Sequence, residues 1–264
     1  MKIKLWEKTT APYYDEKKGP EPYMVPYIIK DSSACVVIAP GGAYIGKSSE
    51  LEGTLIAEML NKSGISAFVL DYRVKPYCYP TMLEDVKRAI RKARFLSGEY
   101  GYDENKIAVL GFSAGGHLAS MALTHFDLGK TDGDDIDRIS SRPDLGILCY
   151  PVISLGKYTH PETKSCLLGD KINDEALAFE LSGENSVKQD TPPCFIWHTA
   201  EDGAVAVENS ILFANALRAK NIPFELHIFP YGPHGLGLGN GANDPLGHAA
   251  QWAPLCVRFI KDYI

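Results

Sequence analysis

Apolar residues along this chain gather in short runs rather than long stretches. Six mostly apolar runs lie at residues 35–39, 65–70, 107–110, 145–150, 194–197 and 224–229, and two more, at 2–6 and 24–29, precede them. Such runs, bounded by glycine, proline and polar residues, are expected of strands covered on both faces. Between them apolar residues recur three and four apart. Ser49 and Glu52 read as a capping box ahead of Leu51, Leu55, Met59 and Leu60, with Gly64 as the stop signal. Pro80 opens a second helix carrying Leu83, Val86, Ile90 and Ala93, whose other face of Glu84, Lys87, Arg88, Arg91 and Arg94 is expected to be solvated. Further helices are expected over 114–125, 207–219 and 248–263. The alternation predicts an α/β fold, a mostly parallel, doubly wound sheet of about eight strands with helices on both faces. No repeat, linker or composition break divides the chain, so residues 1–264 are expected to form a single domain. In such a sheet chemistry collects in the loops beyond the carboxyl ends of the strands.

Directly after the run 107–110 comes Gly111-Phe112-Ser113-Ala114-Gly115-Gly116, then helical periodicity. This is G-x-S-x-G between strand and helix, a sharp turn that needs small neighbours and lifts a serine hydroxyl above the sheet. Ser113 also falls at a helix N-terminus, which favours developing negative charge. A serine nucleophile needs a base to take its proton and an acid to orient that base. His198-Thr199-Ala200-Glu201-Asp202-Gly203 follows one later run, and Pro230-Tyr231-Gly232-Pro233-His234-Gly235 follows the next. Asp202 and His234 are therefore the candidate acid and base, with Glu201 the competing acid. The shorter carboxylate and the spacing to Val205 favour Asp202. His198 is expected to shape the acid loop. His117 falls within a helix and His227 within a strand, while His125, His160 and His248 show no serine-compatible context. Pro40-Gly41-Gly42-Ala43-Tyr44 lies in the loop after an early strand, so the backbone N–H groups of Gly42, Ala43 and Ala114 are the candidate oxyanion hole.

The same loop permits a rival. Gly41-Gly42-Ala43-Tyr44-Ile45-Gly46-Lys47-Ser48 satisfies G-x-x-x-x-G-K-[ST], with Asp71 ending the next strand like a magnesium partner, so a P-loop nucleotide hydrolase is the competing reading. Against it, Tyr44 and Ile45 are bulky where backbone amides must wrap a phosphate, and the reading leaves Ser113, Asp202 and His234 unused. Gly237-Leu238-Gly239-Asn240-Gly241-Ala242 loosely fits a dinucleotide fingerprint, but Asn243-Asp244-Pro245 stands where a helix should begin. Asp132-Gly133-Asp134-Asp135-Ile136-Asp137 lacks the glycine and the terminal glutamate that a calcium loop places at its sixth and twelfth positions, and is expected to be a solvated loop.

Composition narrows the partners. With 45% hydrophobic and 23% charged residues in 264, the chain matches ordinary soluble globular proteins. A net charge of −6 implies no basic patch, so no nucleic-acid partner is expected. Cys35, Cys78, Cys149, Cys166, Cys194 and Cys256 form no C-x-x-C, and most lie in apolar runs, as buried reduced thiols would. The N-terminal residues carry lysines without an apolar core, and no window reaches the length of a membrane span. A cytoplasmic protein with no membrane partner, no metal and no cofactor is expected; a homodimer is allowed.

PGGAY, the DYRV strand end, YPTMLEDVKRAI, GFSAGGHLA, TPPCFIWHTAEDGAVAVENS and PFELHIFPYGPHGLGL together resemble the small α/β-hydrolase acetyl esterases. These belong to a wider esterase/lipase group that includes acetyl-xylan and feruloyl-type esterases. The likeness runs from Ala34 to the C-terminus. It implies the α/β-hydrolase fold, with Ser113 as nucleophile, Asp202 as acid and His234 as base. It also implies hydrolysis of acetyl or similar short acyl esters, of sugars or xylo-oligosaccharides, through an acyl-enzyme. Peptidases and thioesterases share such a triad and remain alternatives. The group often carries G-G-G in the oxyanion loop; here the third position is Ala43, whose methyl narrows the slot. The segment from Val152 to Pro192 is the one long insert and is expected to form a small cap. Tyr44 and Tyr158 are candidates to border the substrate pocket, with packing as the alternative.

Overall fold

The computed structural model describes residues 1–7, 10–239 and 247–264. Eight strands, β1 (Ile3–Lys4), β2 (Tyr23–Tyr27), β3 (Cys35–Ala39), β4 (Ser66–Asp71), β5 (Ile107–Phe112), β6 (Leu145–Cys149), β7 (Cys194–Thr199) and β8 (Phe224–Phe229), form one sheet in the order β1-β2-β4-β3-β5-β6-β7-β8. The β1–β2 and β2–β4 pairs are antiparallel, and every pair from β4 through β8 is parallel. The α-helices are α1 (Leu55–Lys62), α2 (Thr81–Phe95), α3 (Ser97–Tyr100), α4 (Ala114–Thr124), α5 (Pro161–Leu168), α6 (Glu175–Glu180), α7 (Glu208–Ala219) and α8 (Trp252–Tyr263).

The continuous apolar runs are explained by two cores, one on each face. Successive strand residues point to opposite sides. Cys35, Val37 and Ala39 of β3 pack with Met82, Val86, Leu118 and Phe213 from α2, α4 and α7. Val36 and Ile38 pack instead with Ile56, Leu60, Trp252 and Phe259 from α1 and α8. Phe195 and Trp197 of β7 join that second core, and Cys194 and Ile196 the first. Burying each such Val, Ile or Phe contributes about 1.5–3 kcal/mol. Both ends of β5 and β7 therefore stand on a rigid base.

Three sequence expectations are corrected. The charged face of α2 is not solvated: Arg88 and Arg91 are 1% exposed and Lys92 3%. Arg88 donates to Asp134 and Asp137 and to the Leu5 carbonyl, Arg91 pairs with Asp127, and Lys92 donates to Glu7 and the Lys4 carbonyl. The acidic stretch is thus no free loop; hydrogen bonds from Arg88 hold the Asp134 carboxyl at about 2, against the smaller opposing effect of burial. The charges strap residues 127–144 and the N-terminal strand across α2. The third correction concerns the capping box. Ser49 caps nothing with its side chain, residues Glu50–Thr54 form a π-helical turn, and Glu52 is turned inward. The loose dinucleotide pattern runs into residues 240–246, outside the described residues.

Candidate active site

The elbow forms where β5 runs into α4. Ser113 adopts φ 54° and ψ −120°, a conformation costing about 1–3 kcal/mol that persists only where neighbours enforce it. They do. The Ser113 N–H donates to the Cys149 carbonyl at 3.1 Å, and its own carbonyl accepts from Val152 N–H at 3.0 Å. The flanking glycines are steric necessities, since a Cβ at Gly111 would collide with the Gly115 carbonyl and one at Gly115 with the Ala39 carbonyl.

Two loops bring the base and acid to this hydroxyl. His234 Nε2 lies 2.8 Å from Ser113 Oγ and its Nδ1 lies 2.6 Å from Asp202 Oδ2. Nδ1 donates to the carboxylate, which leaves Nε2 as the acceptor for the serine proton. The Asp202 side chain is wholly buried. Burial alone would raise its pKa, but hydrogen bonds from His198, His234 and Val205 N–H outweigh it and hold the carboxyl well below the usual range. Asp202 Oδ1 accepts from Ala204 N–H at 3.0 Å and Val205 N–H at 2.9 Å. His198, on β7, bridges Asp202, the Val205 carbonyl and Ser210 Oγ, as its sequence position suggested. Glu201 serves elsewhere, accepting from Gly232 N–H in the loop that carries His234.

The oxyanion loop follows β3. Gly42, Ala43 and Tyr44 all have positive φ, at 137°, 54° and 58°. The Gly42 carbonyl accepts from Ile45 and Gly46, which closes the turn. Among the described residues the N–H groups of Gly42 and Ala43 donate to no protein acceptor, and Ala114 N–H opens α4, where helix N–H groups have no intrahelical partner. Gly42, Ala43, Ser113 and His234 line one cleft of about 470 Å³.

Tyr44 is not at the cleft. It is fully buried, and its hydroxyl donates to His117 Nδ1 at 2.9 Å, while His117 Nε2 donates to the Leu181 carbonyl at 2.8 Å. Burial lowers the His117 ring to about 4, so it is neutral in this chain of bonds. Tyr158 is also absent from the cleft lining; its backbone carbonyl accepts from Asn209, and Lys157 covers its ring. The insert reaches the cleft through His160 and Glu162 instead. His160 Nδ1 accepts from Thr163 N–H at the start of α5, which leaves Nε2 to carry the proton of a neutral ring. Burial and the nearby His234 both lower the pKa of His160. Sequence context set His160 aside; the capping pattern H-P-E-T at the start of α5 is the signal that could have brought it to notice, though not its role.

Glu52 is the other residue that sequence spacing misassigned. It is 4% exposed, lines the cleft, accepts from Gly41 N–H at 2.8 Å and from the Tyr150 hydroxyl at 2.7 Å. Burial pushes its carboxyl up, against the opposing effects of Tyr150, Gly41 N–H and His234. Lys47, central to the P-loop pattern, is bound to Asp71 at 2.5 Å and to the Tyr72 carbonyl at 2.8 Å. Its ammonium braces the strand end of β4 rather than facing a phosphate cradle.

The chain is similar to a known family and to several known proteins. The BD-FAE family profile matches residues 23–217. The chain is 42% identical over 242 residues to endo-1,4-beta-xylanase B of Butyrivibrio fibrisolvens, covering 89% of this chain and 38% of that protein. It is 31% identical over 244 residues to an acetylxylan esterase of Xylanibacter ruminicola, covering 90% of this chain and 48% of that protein. It therefore spans less than half the length of either curated relative. Among solved structures, an acetyl ester-xyloside bifunctional hydrolase from Caldicellulosiruptor lactoaceticus superposes with a TM-score of 0.94 at 46% identity, covering 99% of this chain and 96% of that one. With its eight-stranded sheet and this match over most of its length, the chain belongs to the BD-FAE family and has the α/β-hydrolase fold.

Proposed function

We propose that the chain is a serine carboxylesterase that removes short acyl groups, acetyl foremost, from hydroxyl-bearing alcohols such as sugars and xylo-oligosaccharides. The observation that carries this reading is the unbroken chain from Ser113 Oγ through His234 to buried Asp202, beside uncommitted backbone N–H groups in one cleft. Ser113 Oγ attacks the ester carbonyl as His234 Nε2 takes its proton. Asp202 holds the ring in the tautomer that makes this possible and offsets the charge of the imidazolium. The developing oxyanion lies against the N–H groups of Gly42, Ala43 and Ala114, each such donor being worth about 10²–10³ in rate. His234 then protonates the leaving alkoxide, and water, activated by the same ring, releases the acid from the acyl-enzyme.

The alcohol is matched by the insert. His160 presents a neutral N–H and Glu162 a carboxylate to the cleft, a donor and an acceptor suited to sugar hydroxyls. The names of the xylan-related relatives support the same substrate class. The methyl of Ala43 favours a small acyl group. A panel of p-nitrophenyl esters and acetylated xylo-oligosaccharides tests this. Acetate is expected to be released faster than butyrate or longer acids, and replacing His160 by Ala is expected to raise KM for the oligosaccharide while leaving p-nitrophenyl acetate unchanged. Preferential cleavage of a peptide or thioester would overturn the ester assignment.

A further inference from the structure

The mechanism above uses Asp202 but not the second carboxylate that lines the cleft. Glu52 lies on the far side of the site from the acid loop, in the π-helical turn between β3 and α1. That turn is built on two wide bonds, Thr54 N–H to the Ser49 carbonyl and Leu55 N–H to the Glu50 carbonyl. Such turns occur mostly as local bulges at functional sites. Here the bulge rotates Glu52 inward, away from the solvent that a capping residue would meet. Gly53 lets the turn sit against β4, since a Cβ there would lie 2.8 Å from Val69 Cγ1.

Each oxygen of the carboxylate has one assignment. Oε2 accepts from Gly41 N–H, the residue just before the two oxyanion donors. Oε1 accepts from the Tyr150 hydroxyl at the end of β6. Tyr150 Oη in turn accepts from Gly237 N–H at 2.9 Å, three residues beyond His234, and the Tyr150 ring packs edge-on against the His234 ring at 5.0 Å. The Gly237 carbonyl is tied down by Trp252 Nε1. Gly41 has no room to shift, because a Cβ on it would stand 2.8 Å from Glu52 Oε2, from the Phe112 carbonyl and from Ser113 Cβ.

We infer that Glu52 is a positioning residue for the reaction: it sets the oxyanion loop through Gly41 and the base loop through Tyr150, so that the oxyanion donors and His234 are fixed against the same Ser113. A carboxylate is needed because both partners are donors, and one anion with two oxygens accepts from both. With Gly41 N–H claimed by Glu52, the peptide is turned so that the next two N–H groups are left for substrate. This inference rests on the esterase reading.

Glu52→Ala is expected to lower kcat on p-nitrophenyl acetate by about 10²-fold, the scale of one lost oxyanion donor or a misplacement of about 1 Å, with KM changed by less than about threefold. Glu52→Gln still offers one acceptor to Gly41 and is expected to recover about tenfold of that loss. Tyr150→Phe cuts the link to the base loop and is expected to lose kcat without losing the Gly41 contact. Thermal melts of each variant establish that it is folded, and the Gln and Phe variants carry the test should the Ala variant not fold. An unchanged kcat in folded Glu52→Ala would overturn the assignment, as would a loss confined to KM or a Gln variant no better than Ala. Ser113→Ala run alongside separates the two claims: turnover surviving there sinks the esterase reading, whatever the Glu52 variants do.

Discussion

Two buried carboxylates flank His234, and their surroundings push them in opposite directions. Asp202, in the loop after β7, is held well down; Glu52, in the turn after β3, is pushed up. Burial acts the same way on both. The difference is the number and kind of donors. Asp202 collects Ala204 N–H, Val205 N–H, His198 and His234, two of them imidazoles. Glu52 collects one backbone N–H and one phenol. A carboxylate surrounded by four donors is held as a charge, which an imidazolium forming in the transition state can use. A carboxylate with two neutral donors serves chiefly to hold its partners in place.

The comparison can be broken most severely at the acid. Asp202→Asn keeps the shape but donates where His234 needs an acceptor, turning the ring to the wrong tautomer. A drop in kcat of about 10⁴ is expected, far more than for any Glu52 variant, and steady-state kinetics on p-nitrophenyl acetate reads it directly. Losses of equal size at the two carboxylates would remove the distinction between them.

A smaller effect sharpens it through stability. A carboxylate whose folded pKa is depressed contributes stability that is present above its unfolded value, about 3.9 for Asp, and lost as pH falls through the folded one. The deficit in Tm of Asp202→Asn against wild type is therefore expected to persist from pH 7 down to about 4 and to shrink only below it. For Glu52 the sign reverses. Its folded value is raised, so ionisation weakens the fold as pH rises above the unfolded value of about 4.3. The Tm of wild type relative to Glu52→Gln is expected to improve as pH falls from neutral toward that value. Parallel trends in the two melts would show that the carboxylates do not differ as described.

The contrast also explains what the sequence revealed and what it hid. Ser113, Asp202 and His234 each stand within about five residues of the end of an apolar run, with glycine one or two positions away, so strand ends and the G-x-S-x-G pattern brought them to notice, and the geometry assembles all three. The parallel sheet was legible for the same reason, since runs such as CVVIA alternate between two cores without a polar break. Glu52 was hidden because S-x-x-E is a local pattern with a local meaning, whereas its partners Gly41 and Tyr150 come from elsewhere in the chain. Arg88 and Arg91 were misjudged likewise: their spacing marks a helix face, but their acidic partners lie more than thirty residues away. His160 sits in an insert of short helices, where periodicity carries little information. Tyr44 was drawn to the pocket by its motif, yet its positive φ turns the ring into the core, onto His117.

The central claim is that a single hydroxyl, on Ser113, carries the chemistry. Initial rates of p-nitrophenyl acetate hydrolysis by purified Ser113→Ala, checked for an unchanged Tm, test it most directly. The account predicts a fall in kcat of about 10⁶ toward the residual rate that oxyanion donors and binding alone supply. Turnover within tenfold of wild type in the folded variant would contradict it.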